Sequence, residues 1–109
     1  MNQGKVQENI FYRHFDLPAK ERQVEELERS IEKPEFWDDA QESQRVMKQL
    51  KALKEFLEQI KELTMLYEDT GMLIEMAEEE EDESLIPDIR KDLKKFEKEF
   101  ETLKIRILL

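Results

Sequence analysis

The stretch KPEFWDD, residues 33–39, separates two segments that have helical periodicity. It holds the chain's only Trp together with a Pro and a Phe, whereas a plain connection between helices needs only polar turn-forming residues. Pro34 cannot continue a helix, and Asp39 followed three residues later by Glu42 has the pattern of an acidic capping box. The stretch therefore predicts a structural corner between two helices. Its candidate residues are Pro34, Phe36, Trp37 and Asp39.

The role of Trp37 in this corner has two interpretations. In the first, Phe36 and Trp37 form a hydrophobic plug that packs between the flanking helices and sets the angle between them. In the second, Trp37 is exposed and anchors a partner, because Trp is enriched in binding hot spots. We favour the plug, for which truncation to Ala would cost roughly 3 to 5 kcal/mol of stability.

The segment before the corner predicts a first helix at about residues 17–32. Asp16 can cap it, Pro18 is tolerated in its first turn, and apolar residues recur at spacings of three and four. Residues 1–14 show no sustained period, so we interpret them as an irregular or leader arm, with Phe11 and Phe15 covering the edge of the bundle. The remainder, residues 15–109, is predicted to be a single helical domain.

The segment after the corner predicts a long second helix at about residues 40–78. Apolar residues between Val46 and Ile60 alternate in steps of four and three, which is a heptad pattern, and the pattern resumes after a drift. At 1.5 Å per residue this helix would be about 57 Å long. Gly71 interrupts it, either as a tolerated glycine or as the site of a close helix crossing.

A third helix is predicted at about residues 84–106. Ser84 can cap it, Pro87 lies in its first turn, and apolar residues from Ile86 to Ile107 repeat in steps of three and four. The predicted fold class is therefore all-α. It is an antiparallel helical hairpin with a shorter first helix packed on it, which makes a coiled-coil-like three-helix bundle.

A run of acidic residues joins the second and third predicted helices. Repulsion among its acidic side chains predicts that the second helix ends within the run. The run is interpreted either as a solvated turn or as a binding site for a basic protein surface. It lacks the alternating acids and central Gly of a calcium loop, so no metal site is predicted. The candidate partner-binding residues are Glu78, Glu79, Glu80, Glu81, Asp82 and Glu83.

Composition restricts the classes of function. A net charge of -10 argues against direct binding to a nucleic-acid backbone. The chain has no Cys, and its one His, His14, lies in the segment without a regular period, so no Cys-His pair and no well-positioned Ser-His pair is expected. Its two glycines cannot build a phosphate-binding loop. We therefore predict no catalytic residue and no cofactor. The chain contains no membrane-spanning run of apolar residues, and a cytoplasmic location is expected.

The last five residues, 105–109, are Ile-Arg-Ile-Leu-Leu. An apolar end of this kind tends to associate when nothing covers it. The sequence is therefore interpreted as a fragment of a longer protein, and an exposed apolar end predicts that the fragment forms dimers.

Residues 17–42, with the Leu-Glu-rich helix and the Pro-Glu-Phe-Trp-Asp element at 34–38, resemble the N-terminal domain of the bacterial peptide chain release factor 2 family. The resemblance extends over about residues 15–109. It implies a role in translation termination at UGA and UAA codons, for which the family uses a Ser-Pro-Phe tripeptide to read the codon and a Gly-Gly-Gln motif to promote hydrolysis. Neither motif occurs in this chain. The resemblance thus implies a non-catalytic domain that contacts a protein of the ribosomal stalk base and the GTPase release factor 3.

An alternative function is a structural or scaffolding three-helix module, similar to spectrin and unrelated to translation. It predicts further copies of this unit in the parent protein and no association with ribosomes. An enzyme is the third and weakest alternative, for want of His, Cys and Gly.

Overall fold

The computed structural model describes residue 11 and residues 13–108, with the backbone alone at 107 and 108. These residues form helix α1 (Leu17–Ile31), a 3-10 helix (Pro34–Asp38), helix α2 (Ala40–Glu80), a second 3-10 helix (Glu83–Leu85) and helix α3 (Ile86–Leu108). The predicted arm at residues 1–14 falls mostly outside the described residues. Contacts divide the chain between Glu58 and Gln59 into two compact units, each of which holds part of α2. The single domain at 15–109 stays a prediction.

An aromatic cluster forms the core of the first unit. Phe11 and Phe15 are 2% and 1% exposed, and the Phe15 ring meets the Phe56 ring edge-on, with centroids 5.7 Å apart. Lys20 closes the cluster, since its Nζ donates to the Phe15 carbonyl at 2.8 Å and lies 5.4 Å from the Phe56 ring centroid. Phe11 and Phe15 thus lie inside the core of this unit rather than at its edge.

Helix α1 begins without the side-chain cap that the sequence predicts. Asp16 has φ 51° and ψ 53°, and its carboxylate accepts no capping hydrogen bond. A capping side chain needs an extended backbone at this position, and the left-handed conformation of Asp16 turns the carboxylate away from the free N–H groups. The predicted cap is therefore wrong.

Helix α1 also contacts α2 through an ion pair between Glu28 and Lys54 at 2.7 Å. Both side chains are partly exposed, so this ion pair contributes little to stability.

The corner between α1 and α2 is a short 3-10 helix, Pro34–Asp38. Trp37 is 54% exposed, so the predicted buried plug is wrong. The indole Nε1–H donates to the Ile31 carbonyl at 3.1 Å, and this acceptor lies at the open end of α1, near solvent. The hydrogen bond explains why the ring stays at the surface, where it stacks edge-on with the half-buried Phe36 at a centroid distance of 4.8 Å.

Helix α2 begins with half of the predicted capping box. The Asp39 carboxylate accepts a hydrogen bond from the Glu42 backbone N–H at 3.1 Å, as the spacing predicts. The Glu42 side chain does not complete the box, because it pairs with Arg45 one turn along the helix. The hydrogen bonds from Arg45 lower the pKa of Glu42.

The buried face of α2 follows the predicted heptad only in part. Val46, Leu50 and Ile60 are buried as expected, but Phe56 replaces its neighbour Leu57 as the buried residue because its ring completes the aromatic cluster. Gly71 lies on an open surface, where an added Cβ would meet nothing within 4 Å. The alternative of a close helix crossing at Gly71 is therefore wrong.

The second unit is an antiparallel pair formed by the later part of α2 and helix α3. Tyr67 contacts Phe96 with ring centroids 6.0 Å apart, and Arg106 near the end of α3 donates to the side chain of Gln59 at the start of the unit. Leu63 and Leu103 are buried between them, at 0% and 2% exposure. Short helix-helix connections favour this arrangement, and the predicted all-α class with a helical hairpin is confirmed.

Replacing Trp37 with Ala should lower the free energy of unfolding by about 1 to 2 kcal/mol, because a half-exposed ring and one hydrogen bond are lost rather than a full core side chain. Urea denaturation monitored by circular dichroism measures the loss. Trp37→Phe, which keeps an aromatic ring but removes the N–H, should account for up to about 1 kcal/mol of it. A loss of about 3 to 5 kcal/mol for Trp37→Ala would show instead that the side chain is buried.

Candidate functional site

The six candidate partner-binding residues come together at the turn between α2 and α3. Glu78, Glu79 and Glu80 are the last three residues of α2, as expected for a helix that ends within the acidic run. Glu81 and Asp82 form the turn, and Glu83 begins the second 3-10 helix. We call this segment, residues 78–83, the acidic turn.

The acidic turn reverses the chain through a Schellman-type C-cap. The Asp82 N–H donates to the Ala77 carbonyl at 3.0 Å, and Glu81 between them has φ 50°. Glycine is the usual residue at this left-handed position, because a side chain there costs about 1 to 2 kcal/mol. The turn therefore has a glutamate at a position where backbone sterics disfavour a side chain.

Asp82 caps the helical segment that follows. Its carboxylate accepts hydrogen bonds from both the hydroxyl and the backbone N–H of Ser84, and these two bonds, the hydroxyl first, lower the pKa of Asp82. The sequence predicts Ser84 itself as the cap, which is wrong. The helical segment starts at Glu83 in a 3-10 turn, so the capping position falls two residues earlier than Ser84.

Three acids of the turn are also placed unfavourably for helix electrostatics. Glu78, Glu79 and Glu80 occupy the C-terminal end of α2, where the helix dipole carries partial negative charge, and no basic residue lies in this last turn. All three are exposed. Their charges therefore disfavour the helix end that they occupy.

An open groove with an apolar floor lies beside these acids. Ile74, Ala77, Ile86 and Ile89 line the floor, and acidic-turn residues Glu78, Glu81, Asp82 and Glu83 line the rest. Ile74 and Ile86 are 36% and 40% exposed, so the heptad seam stays open next to the turn. The sequence places these apolar residues on the seam but contains no signal that the seam opens here.

Across residue 11 and residues 13–108, no three acidic or His side chains are arranged to hold a metal ion. Within the same described part of the chain, no helix is both long and apolar enough to cross a membrane.

The four corner residues lie together in the first unit. Pro34 starts the 3-10 helix, Phe36 and Trp37 are in ring contact, and Asp39 caps α2. Trp37 also lines a shallow depression with Met47 of α2. Their role as a structural corner stays a prediction. The exposure of Trp37 favours the second interpretation of this residue, in which it is a surface aromatic available to a partner.

Comparison with known proteins assigns this chain to a family. The sequence profile of the PCRF domain matches residues 20–109, which is most of the chain. The chain belongs to the PCRF domain family. This assignment confirms the family resemblance found in the sequence and favours it over an unrelated scaffolding module.

Curated relatives of this PCRF domain carry the name peptide chain release factor 2. The chain is 36% identical over 95 residues to the protein of Saccharopolyspora erythraea, and 35% identical over 96 residues to that of Chloroflexus aggregans. The alignments cover 87% and 88% of this chain but 26% of each relative. The chain therefore spans about a quarter of the length of the curated relatives it matches.

Replacing Glu81 with Gly should stabilise this PCRF domain by about 1 kcal/mol, because glycine adopts a positive φ without steric cost. The midpoint of urea unfolding should rise. Glu79→Gly is the matched control, since it removes the same charge two residues earlier, in helical backbone, and should destabilise by up to about 1 kcal/mol. Equal effects of the two substitutions would contradict the left-handed conformation of Glu81.

Replacing Ser84 with Ala should raise the pKa of Asp82 toward its ordinary value, because the hydroxyl is the larger of the two causes that lower it. A lowered folded-state pKa stabilises the fold above about pH 4, and this contribution is lost as the pH falls through the folded-state pKa. Ser84→Ala should therefore weaken the decline in stability upon acidification. Carboxyl ¹³C NMR titration of Asp82 measures its pKa. Ser84→Thr, which keeps the hydroxyl, should leave the pKa of Asp82 lowered as in the wild-type chain.

Proposed function

We propose that this chain is the N-terminal accessory domain of a class I peptide chain release factor, which acts in translation termination at UGA and UAA codons. Family membership over residues 20–109 and similarity to proteins named peptide chain release factor 2 support this role. The chain contains neither Ser-Pro-Phe nor Gly-Gly-Gln. In this proposal the domain is non-catalytic, and codon reading and hydrolysis belong to other parts of a longer protein.

The acidic turn is the docking site of the domain in this proposal, and its partner is a protein of the ribosomal stalk base. The observation that carries the proposal is the groove whose floor holds Ile74 and Ile86 and whose rim holds Glu78, Glu81 and Glu83. An apolar floor beside a charged rim suits a basic protein surface that also offers an apolar anchor. The GTPase release factor 3 is a second proposed partner, supported only by the family resemblance.

The charge of the domain supports contact with protein rather than with RNA. At a net charge of -10 the chain is repelled by a phosphate backbone, and it displaces few counterions there. On a ribosome, the same charge favours encounter with basic protein surfaces. The acidic turn would act mainly on the rate of encounter, and the apolar groove on the lifetime of the complex. A cytoplasmic location, where ribosomes act, is part of this proposal.

Neutralising the rim, by replacing Glu78, Glu81 and Glu83 with Gln, should weaken co-sedimentation of the chain with ribosomes. The dependence of binding on salt should also become shallower, because fewer charges contribute to the encounter. The matched control replaces Glu21, Glu25 and Glu26 of α1 with Gln, which changes the net charge by the same amount on an exposed surface of the first unit.

Ribosomes stripped of the stalk-base protein provide the second arm of this experiment. The wild-type chain should bind them as weakly as the rim variant binds intact ribosomes. Equal loss of binding in the rim and control variants would show that the acidic turn acts only through the net charge of the chain and is not a docking site. Absence of any ribosome binding by the wild-type chain would contradict the proposed docking role of the domain.

A further inference from the structure

A row of exposed methionines runs along one face of α2. Met65, Met72 and Met76 are separated by seven and four residues, which correspond to about two turns and about one turn of an α-helix. Their side chains are 54%, 57% and 45% exposed. Over eleven residues at 1.5 Å each, the row is about 16 Å long. We call these three residues the methionine stripe.

The methionine stripe lies opposite the packed face of the second unit. Leu63, which is fully buried, precedes Met72 by nine residues and so points about half a turn away from it. Ile74 and Ala77, which line the groove beside the acidic turn, also lie on the other side of the helix. The stripe is therefore a separate surface from the proposed stalk-base docking site.

Acidic residues border the methionine stripe on both sides. At about 100° per residue, Glu62 and Asp69 flank it on one side, and Glu68 and Glu75 on the other. None of these four carboxylates forms an ion pair with another described residue. Lys61, one turn before Met65 on the same face, is the one basic residue of α2 between positions 61 and 80, and Glu62 also lines a groove with Lys95 and Lys98 of α3. From Met65 to Met76 the row is therefore bordered by acidic residues of α2, and basic residues lie only near its N-terminal end.

We propose that the methionine stripe binds a basic amphipathic helix of a partner protein. Methionine side chains are flexible and polarizable, so an exposed row of them adapts to the apolar face of a helix. Such a helix places apolar residues at i, i+3, i+4 and i+7, which matches a linear apolar row. The charge of the borders selects the chemistry of the partner, since lysines and arginines beside its apolar face would meet Glu62, Glu68, Asp69 and Glu75. The inference does not depend on the proposed role in termination.

Selective ¹³C labelling of the methionine methyl groups tests this proposal in the intact chain. The probe is a synthetic 14-residue helical peptide with Leu at i, i+3, i+4 and i+7 spacing and Lys at the other positions. The chain has five methionines, so the spectrum is simple. The signals of Met65, Met72 and Met76 should shift on titration, whereas that of Met47, which is also exposed on α2 but lies in the first unit, should not.

Two controls separate the stripe from general attraction to an acidic protein. A peptide of the same composition but scrambled order keeps its charge without an apolar face, and it should bind roughly tenfold more weakly. Replacing Met65, Met72 and Met76 together with Gln, a good helix former of similar length, should weaken binding of the ordered peptide by a similar factor of roughly ten, with helicity unchanged.

Three results would overturn the proposal. The first is an ordered peptide that binds the triple Gln variant as tightly as it binds the wild-type chain. The second is a set of methyl shifts in which Met47 moves as much as the three stripe residues. The third is movement of the stripe signals with protein concentration alone, which would assign this face to a second copy of the chain.

Discussion

Both units depend on the burial of apolar side chains from one helix, α2. Its 41 residues supply Val46, Leu50 and Phe56 to the first unit and Leu63 to the second. With 42% of the residues charged, few other side chains are available for a core, so each buried position of α2 carries a large share of the stability. The two buried threonines of the second unit do not weaken this face, because the hydroxyls of Thr64 and Thr70 donate to carbonyls one turn earlier in α2.

The sequence predicts this helix well and its ends less well. Periodicity identifies α2 and α3, because a repeat that extends over many turns averages out individual exceptions. Caps depend on the conformation of one residue, and both failures are of that kind: Asp16 adopts a left-handed backbone, and the helical segment after the acidic turn starts one residue before Ser84. The predictions of burial at Phe56 and Trp37 are wrong for a different reason. Their burial depends on where Phe15 and the Ile31 carbonyl lie in space, and spacing along the chain does not contain that information.

The candidate site was predictable as a charge pattern but not as a shape. The run from Glu78 to Glu83 is evident in the sequence, whereas the exposure of Ile74 and Ile86 beside it appears only in the structure. Unfavourable features concentrate there: a left-handed glutamate, acids at the negative end of a helix, and a seam left open. Asp82 is the exception, since it stabilises the next helical segment. Local conflicts of this kind are typical of functional or strained sites.

The acidic turn and the methionine stripe would respond differently to solution conditions, because one depends mainly on charge and the other on apolar contact. Attraction between exposed charges weakens as the Debye length falls from about 10 Å at 0.1 M salt to about 3 Å at 1 M. Apolar contact has no such dependence and is strengthened by strongly hydrated salts such as sulfate. A partner held by the turn alone should therefore leave as salt rises. A partner seated on Met65, Met72 and Met76 should lose the steering of the acidic borders but keep its apolar contacts. Binding that survives at high salt would thus rest on apolar contact, either at the methionine stripe or in the groove that Ile74 and Ile86 line beside the turn.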